Sequence, residues 1–194
     1  MMYTPKITTM LIFRIIWITW LSSEVLLNVL IRSNKKDKKG NDKGSLALIW
    51  IAIAVAIFLA INISNNHRIP ISNTLIIYYI GLAIIVIGMI FRFIAIFSLG
   101  RLFTVDVTIR KDHKIKKDGI YRIVRHPSYM GSLLSFAGFG ISLNSWLSLA
   151  IIVILITAAF IYRIRVEEKL LIAQFGGDYL EYKKKTYYLI PWIY

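Results

Sequence analysis

The sequence predicts an all-α, polytopic integral membrane protein with about five transmembrane helices, its N-terminus outside and its C-terminus cytoplasmic. Three observations carry this reading. Of the 194 residues, 57% are hydrophobic and only 18% charged, against about 45–50% apolar and 25% charged in a soluble domain. The apolar residues fall in runs long enough to cross a bilayer. The formal charge of +14 is gathered into segments that alternate with those runs. The length suits a single structural unit. Disorder is excluded, because it needs low hydrophobicity. With no cysteine in the chain, disulfide frameworks, thiolate metal sites and thiol nucleophiles are excluded too.

A helix needs about 20 apolar residues to cross the hydrocarbon core. Met10 to Ile31 is the first candidate, interrupted by Arg14 and Glu24. It is too long for the apolar part of a signal peptide and lacks a small-residue cleavage site, so it is expected to be retained. Leu46 to Ile63 holds one polar residue, Asn62. Leu75 to Phe91 is uncharged and can run past Arg92 to Phe97. Ser128 to Tyr162 is uncharged throughout, and as one helix it would reach about 50 Å across a core of about 30 Å. A hairpin of two short spans over 127–162 is the better reading, with Gly138, Gly140, Asn144 and Ser145 as turn residues. Gly81 and Gly88 lie seven apart on nearly one helix face, as close helix packing requires. The sequon Asn62-Ile63-Ser64 falls at a membrane edge and is assigned no role.

The basic residues are distributed by side. Arg32 to Lys43 holds six of the 24, Arg101 to Arg125 eight, and Arg163 to Lys185 six. With five spans these segments share one side, and the other keeps only Lys6 and Arg68. This asymmetry places the three basic segments in the cytoplasm. It also answers the nucleic-acid alternative: the charges mark topology and favour anionic headgroups, and no nucleic acid is expected. The chain then divides into three spans with a basic loop at 32–44 (1–97) and a polar loop, hairpin and C-terminal helix (98–194). Glu24 and Arg92 stand inside spans, where a charge costs about 2.5–3.5 kcal/mol on insertion scales, so they should face the bundle or snorkel.

Two polar segments carry residues suited to chemistry. One runs His113-Lys114-Ile115-Lys116, Asp118-Gly119-Ile120-Tyr121 and Arg125-His126-Pro127-Ser128-Tyr129. Pro127 fits the first position of a helix, His126 is pushed out of helical geometry by the proline, and the free N–H groups of the helix start suit an anion. An ordinary interfacial helix start explains the same residues. The other segment begins Arg163-Ile164-Arg165-Val166-Glu167-Glu168. Arg163 and Glu167 share a helix face four residues apart, as a surface ion pair would. They also emerge on the side of His113 and His126, which suggests a polar pocket at the interface. The spacing suits no metal. The aromatic end Tyr187-Tyr188 to Trp192 and Tyr194 reads as an interfacial belt or as pocket lining.

The C-terminal half resembles the isoprenylcysteine carboxyl methyltransferase family, as a short, prokaryotic-type member. The resemblance runs from His113 through Gly119-Ile120-Tyr121 and Arg125-His126-Pro127-Ser128-Tyr129, then Arg163, Glu167-Glu168, Phe175-Gly176, Tyr179 to Lys183 and Leu189-Ile190-Pro191. It implies an enzyme, a protein-S-isoprenylcysteine O-methyltransferase, with S-adenosylmethionine as methyl donor and S-adenosylhomocysteine as product. It assigns cofactor contacts to His113, Lys114, Ile115, Lys116, Tyr121, His126, Pro127, Ser128, Tyr129, Glu167 and Glu168, and the acceptor's carboxylate to Arg163, with Arg163 and Glu167 as the catalytic pair. Asp106 stands where eukaryotic members usually carry an uncharged amide. The expected partners are the bilayer and an amphiphilic prenylcysteine-type substrate, with no metal. The expected location is the cell membrane of a prokaryote or the endoplasmic reticulum of a eukaryote, with the site facing the cytoplasm. Alternative readings keep the membrane setting and change the chemistry: a phospholipid amine or thiol methyltransferase, a sterol-type reductase using a nicotinamide cofactor, or a non-enzymatic scaffold or transporter.

Overall fold

A computed structural model describes residues 7–30, 38–39, 44–67, 69–103, 108–109 and 114–191. The apolar runs form helices α1 (Ile7–Leu30), α2 (Ser45–Asn66) and α3 (Ile76–Leu99). The predicted hairpin forms α4 (Pro127–Ser142) and α5 (Trp146–Phe175), and α6 (Gly177–Lys184) follows. A two-residue antiparallel ladder, Lys38–Lys39 with Thr108–Ile109, is the non-helical exception to the all-α expectation. Most of the basic loop 32–44 lies outside the described residues, as do Asp106, His113, and Trp192 to Tyr194.

Among the described residues, α2, α3 and α5 are long and apolar enough to cross a membrane. The five-span expectation therefore rests on three helices of sufficient length. At 16 residues, α4 reaches about 24 Å, short of a core of about 30 Å. α5 is longer than expected. It continues without a break past Tyr162, so Arg163 and Glu167 lie inside a 30-residue helix rather than in a separate tail.

Of the four residues expected in the α4–α5 turn, only Asn144 and Ser145 lie there, after Leu143. Asn144 has φ 51°, a conformation asparagine tolerates better than most residues. Its Oδ1 accepts from the N–H groups of Ile71 and Ser72, both at 3.0 Å. Ser145 caps α5, its Oγ accepting from Ser148 N–H. Gly138 and Gly140, read from sequence as turn residues, are instead interior to α4. A Cβ on Gly138 would lie 2.7 Å from Ile85 N, and one on Gly140 2.9 Å from Leu149 Cα. The same contacts explain the Gly81/Gly88 face: a Cβ on Gly88 would stand 2.5 Å from Ser135 Oγ, and one on Gly81 2.5 Å from Ser142 N. Ser135 Oγ donates across this seam to Ile85 O at 3.1 Å.

On its other side α2 packs along α5, with Ser148 Oγ donating to Ala60 O at 2.8 Å. Ile49, Ala56, Ile152, Ile156, Ala159 and Phe160 belong to the buried core there. α1 closes the bundle through Trp20, edge-on to Phe136 with ring centres 4.7 Å apart.

Candidate active site

The loop entering α4 is held from behind by the C-terminal segment. Arg125 N–H donates to Tyr187 O and Tyr187 N–H to Ile123 O, both at 2.9 Å. Tyr182 donates its hydroxyl to Tyr121 O at 2.6 Å, and Tyr121 donates to Ala95 O at 3.2 Å. Burial raises the pKa of Tyr121, Tyr179 and Tyr182 above the ordinary phenol value, and for Tyr179 the neighbouring Glu168 adds to the shift. These phenols stay neutral at physiological pH and act as donors.

His126 caps α4 with φ −122° and ψ 57°, and Pro127 follows at the first helical position, as the sequence predicts. Its ring is buried, edge-on to Tyr129 and Tyr188. Its Nε2 lies 3.3 Å from Glu168 Oε1. Glu168 is the centre of a four-donor cluster: it also takes Arg125 Nε at 3.0 Å, Lys183 Nζ at 2.6 Å and Tyr179 O–H at 3.4 Å. Arg125 lies over the Tyr188 ring and donates to the carbonyls of Lys183 and Thr186. One carboxylate thus ties α5, the loop and α6 together.

Glu167 faces elsewhere, because consecutive helical residues point about 100° apart. It accepts from Tyr129 O–H at 3.2 Å. The Tyr129 hydroxyl is also within hydrogen-bonding reach of Arg163. Arg163 is almost wholly buried, at 2% exposure, and donates to Ser45 Oγ at the start of α2. Across from it, Arg92 pairs with Glu24 at 2.7 Å and donates to Ser128 O at 3.0 Å.

These groups surround a cavity of about 1330 Å³, counted to its open mouth. Of the residues singled out from sequence, Lys114, Ile115, Lys116, Tyr121, His126, Pro127, Ser128, Tyr129, Arg163 and Glu167 all line it. Glu168 is not among the lining residues; it lies behind the wall and orients His126 and Arg125. The lining also includes residues assigned no role from sequence. Leu46, Ile49, Trp50 and Ile53 of α2 form an apolar wall, and Glu24 and Arg92 a charged one. Their signal was the pair of lone charges in apolar runs, which called for partners without naming them.

This arrangement of a charged, aromatic end continuous with an apolar wall suits an amphiphile with one anionic head. Residues 80–173 match the family described as isoprenylcysteine carboxyl methyltransferase (ICMT). Over that stretch, just under half of its length, the chain is similar to members of this family. It is similar to the protein-S-isoprenylcysteine O-methyltransferase of Saccharomyces cerevisiae, 39% identical over 116 residues, covering 59% of this chain and 48% of that protein. It is 36% identical over 115 residues to the B form of Arabidopsis thaliana, covering 58% of each. A solved structure of the eukaryotic intramembrane Ras methyltransferase ICMT superposes with a TM-score of 0.59 at 28% identity, covering 74% of this chain and 52% of that one. The matched part therefore spans about half the length of these relatives. Glu24 and the α2 wall lie outside the family-matched stretch.

Proposed function

We propose that this chain is a membrane carboxyl methyltransferase that transfers a methyl group from S-adenosylmethionine to the C-terminal carboxylate of an isoprenylated cysteine, forming a methyl ester at the membrane–cytosol interface. The observation that carries the proposal is the continuity of the cavity. Arg163, Tyr129 and Glu167 line the same cavity as Leu46, Ile49, Trp50 and Ile53 of α2, and Arg163 donates to Ser45 at the start of that helix. A prenyl chain needs such a wall, and its terminal carboxylate needs the guanidinium. Five spans, an outside N-terminus and a cytoplasmic site belong to the same proposal, supported by the charge asymmetry of the sequence.

The donor set fits the cofactor. Glu167 supplies an anion for the amino group, while His126 and the first-turn N–H groups of Ser128 and Tyr129 suit the carboxylate. Lys114, Ile115 and Lys116 border the space left for the nucleoside. Bound there, S-adenosylmethionine would supply an electrophilic methyl on a sulfonium.

The residues then have position to supply rather than base catalysis. A carboxylate acceptor is already ionised at pH 7, its ordinary pKa being about 3–4. Arg163 holds it through the planar fork that pairs both oxygens. Ser45 and Tyr129 fix that guanidinium from two other helices. Alignment of reactants is worth up to about 7–11 kcal/mol. The apolar wall keeps water from a step in which opposite charges cancel.

The test is incubation of the purified protein with methyl-labelled S-adenosylmethionine and a prenylcysteine analogue. Alkali should release the label as volatile methanol, the signature of a methyl ester. Alkali-stable label would mean an amine or thioether acceptor, and the absence of transfer would refute the enzymatic reading.

A further inference from the structure

Neither the family-matched stretch nor the proposed chemistry accounts for Glu24. It stands on α1, outside residues 80–173, and pairs with Arg92 Nε at 2.7 Å. Both side chains line the cavity. Arg92 is fixed from a second direction by Ser128 O at 3.0 Å, so its place does not depend on Glu24 alone. A counter-ion needed only to neutralise Arg92 could approach from any side. This one approaches along the cavity wall.

The charge balance of the cavity gives that placement a consequence. Among the described lining residues, five lysines and arginines face two carboxylates, Glu24 and Glu167. The same cavity carries the apolar α2 wall, and the opposite side of α2 exposes Ile51, Val55 and Phe58 as a lipid-facing helix does. A cationic cavity reached from a bilayer meets a competitor far more abundant than any protein-borne carboxylate. Anionic lipid headgroups carry a phosphate that guanidinium groups bind with the same fork. A phosphate would gain from Arg92 and Arg163 together, and a carboxylate held by Arg163 needs only one of them.

Resting on the carboxyl methyltransferase reading, we infer that Glu24 is a specificity-determining residue. Its carboxylate pairs with Arg92 in the lining of the cavity and repels phosphate there, so anionic phospholipids do not fill the acceptor's place. The acceptor is then selected by its carboxylate at Arg163 and its apolar tail.

The experiment compares wild type with Glu24→Gln in vesicles of phosphatidylcholine alone or mixed equally with phosphatidylglycerol. Acceptor KM for wild type should be the same in both. For Glu24→Gln it should rise about five-fold or more with phosphatidylglycerol, as expected when one unit charge is lost at close range, with kcat retained. An equal KM in the two vesicles for Glu24→Gln overturns the inference. Quenching of tryptophan fluorescence, to which Trp50 on the cavity wall contributes, reads the lipid without any turnover. Brominated phosphatidylglycerol should quench Glu24→Gln more than wild type, relative to brominated phosphatidylcholine, and identical ratios overturn the inference. A wild type that transfers no methyl but shows this quenching difference refutes the methyltransferase reading and leaves the lipid exclusion standing. If Glu24→Gln does not fold, the double variant Glu24→Gln with Arg92→Gln keeps the local charge neutral and should show the wild-type quenching ratio. Stronger phosphatidylglycerol quenching there overturns the inference.

Discussion

The two faces of α4 are built on opposite rules. Toward α3 the helix presents Gly131, Ser135, Gly138 and Ser142, and the backbones meet so closely that no Cβ fits at Gly81, Gly88, Gly131 or Gly138. Toward α5 it presents Tyr129, whose hydroxyl reaches Glu167, and the cavity opens between them. One seam is closed by removing side chains. The other is held open by long ones that bond to each other across the gap. Rigidity on the first face is what lets the second hold its polar groups at fixed distances.

The largest effect is expected on the closed seam. Gly88→Leu would drive a side chain into Ser135 and the Gly131 carbonyl, where even a Cβ has 2.5 Å and 2.7 Å. Overpacking a full core costs about 1–3 kcal/mol and more where backbone must move. Thermal denaturation in detergent should show a large loss of stability or no folded protein at all. A Tm unchanged from wild type would mean that the seam is looser than its contacts imply.

Next comes Arg163→Lys on the open face. Lysine keeps the charge and loses the planar fork, so turnover should fall about a hundred-fold, or about 2.7 kcal/mol in the barrier. Binding of S-adenosylmethionine, followed by calorimetry, should survive. Unchanged turnover would remove Arg163 from the acceptor site. The fold should tolerate the change, because Arg163 bonds to Ser45 and Tyr129 rather than closing a helix seam.

The adjacent glutamates sharpen the contrast within one turn of α5. Glu167→Gln should weaken S-adenosylmethionine binding about ten-fold, or about 1.4 kcal/mol, with little change in Tm. Glu168→Gln should do the reverse. It removes the anion that collects Arg125, His126, Lys183 and Tyr179, and leaving buried cations without their partner is destabilising. If both variants lost affinity equally, with equal stability, the division between cavity and wall would fail.

How much of this was legible beforehand follows the same division. Spacing alone identified the Gly81/Gly88 face, since seven residues return to one side of a helix whatever the partner. Pro127 marked the start of α4, because proline at a helix start obeys local backbone rules. Gly138 and Gly140 were misread as turn residues: a glycine in an apolar run signals a turn or a close approach, and only the facing helix decides which. Glu167 was read as catalytic and Glu168 as a further cofactor contact, because sequence brings both to the interface, and the rotation of α5 leaves only Glu167 on the cavity. The family resemblance marked most of the polar lining, but Glu24 and the α2 wall come from α1 and α2, whose sequence carries only hydrophobicity and two isolated charges, Arg14 and Glu24. Their roles depend on which helices lie beside them, which local pattern does not encode.

The smallest expected effect tests how the open face is braced. Tyr182 is buried and donates its hydroxyl to the Tyr121 carbonyl at 2.6 Å, linking α6 to the loop that borders the cavity. Tyr182→Phe keeps the ring and removes the donor, leaving a carbonyl short of a partner, a loss of about 1 kcal/mol. Tyr121 keeps its own bond to Ala95 O, and Arg125 and Tyr187 still bridge the segment. The variant should therefore lose a few degrees of Tm while acceptor KM stays near wild type and S-adenosylmethionine affinity falls by less than the Glu167→Gln change. A larger loss of cofactor affinity than that of Glu167→Gln would mean that the loop's position is set mainly by α6, and that the cavity is held open from its C-terminal side rather than from the α3–α4 seam.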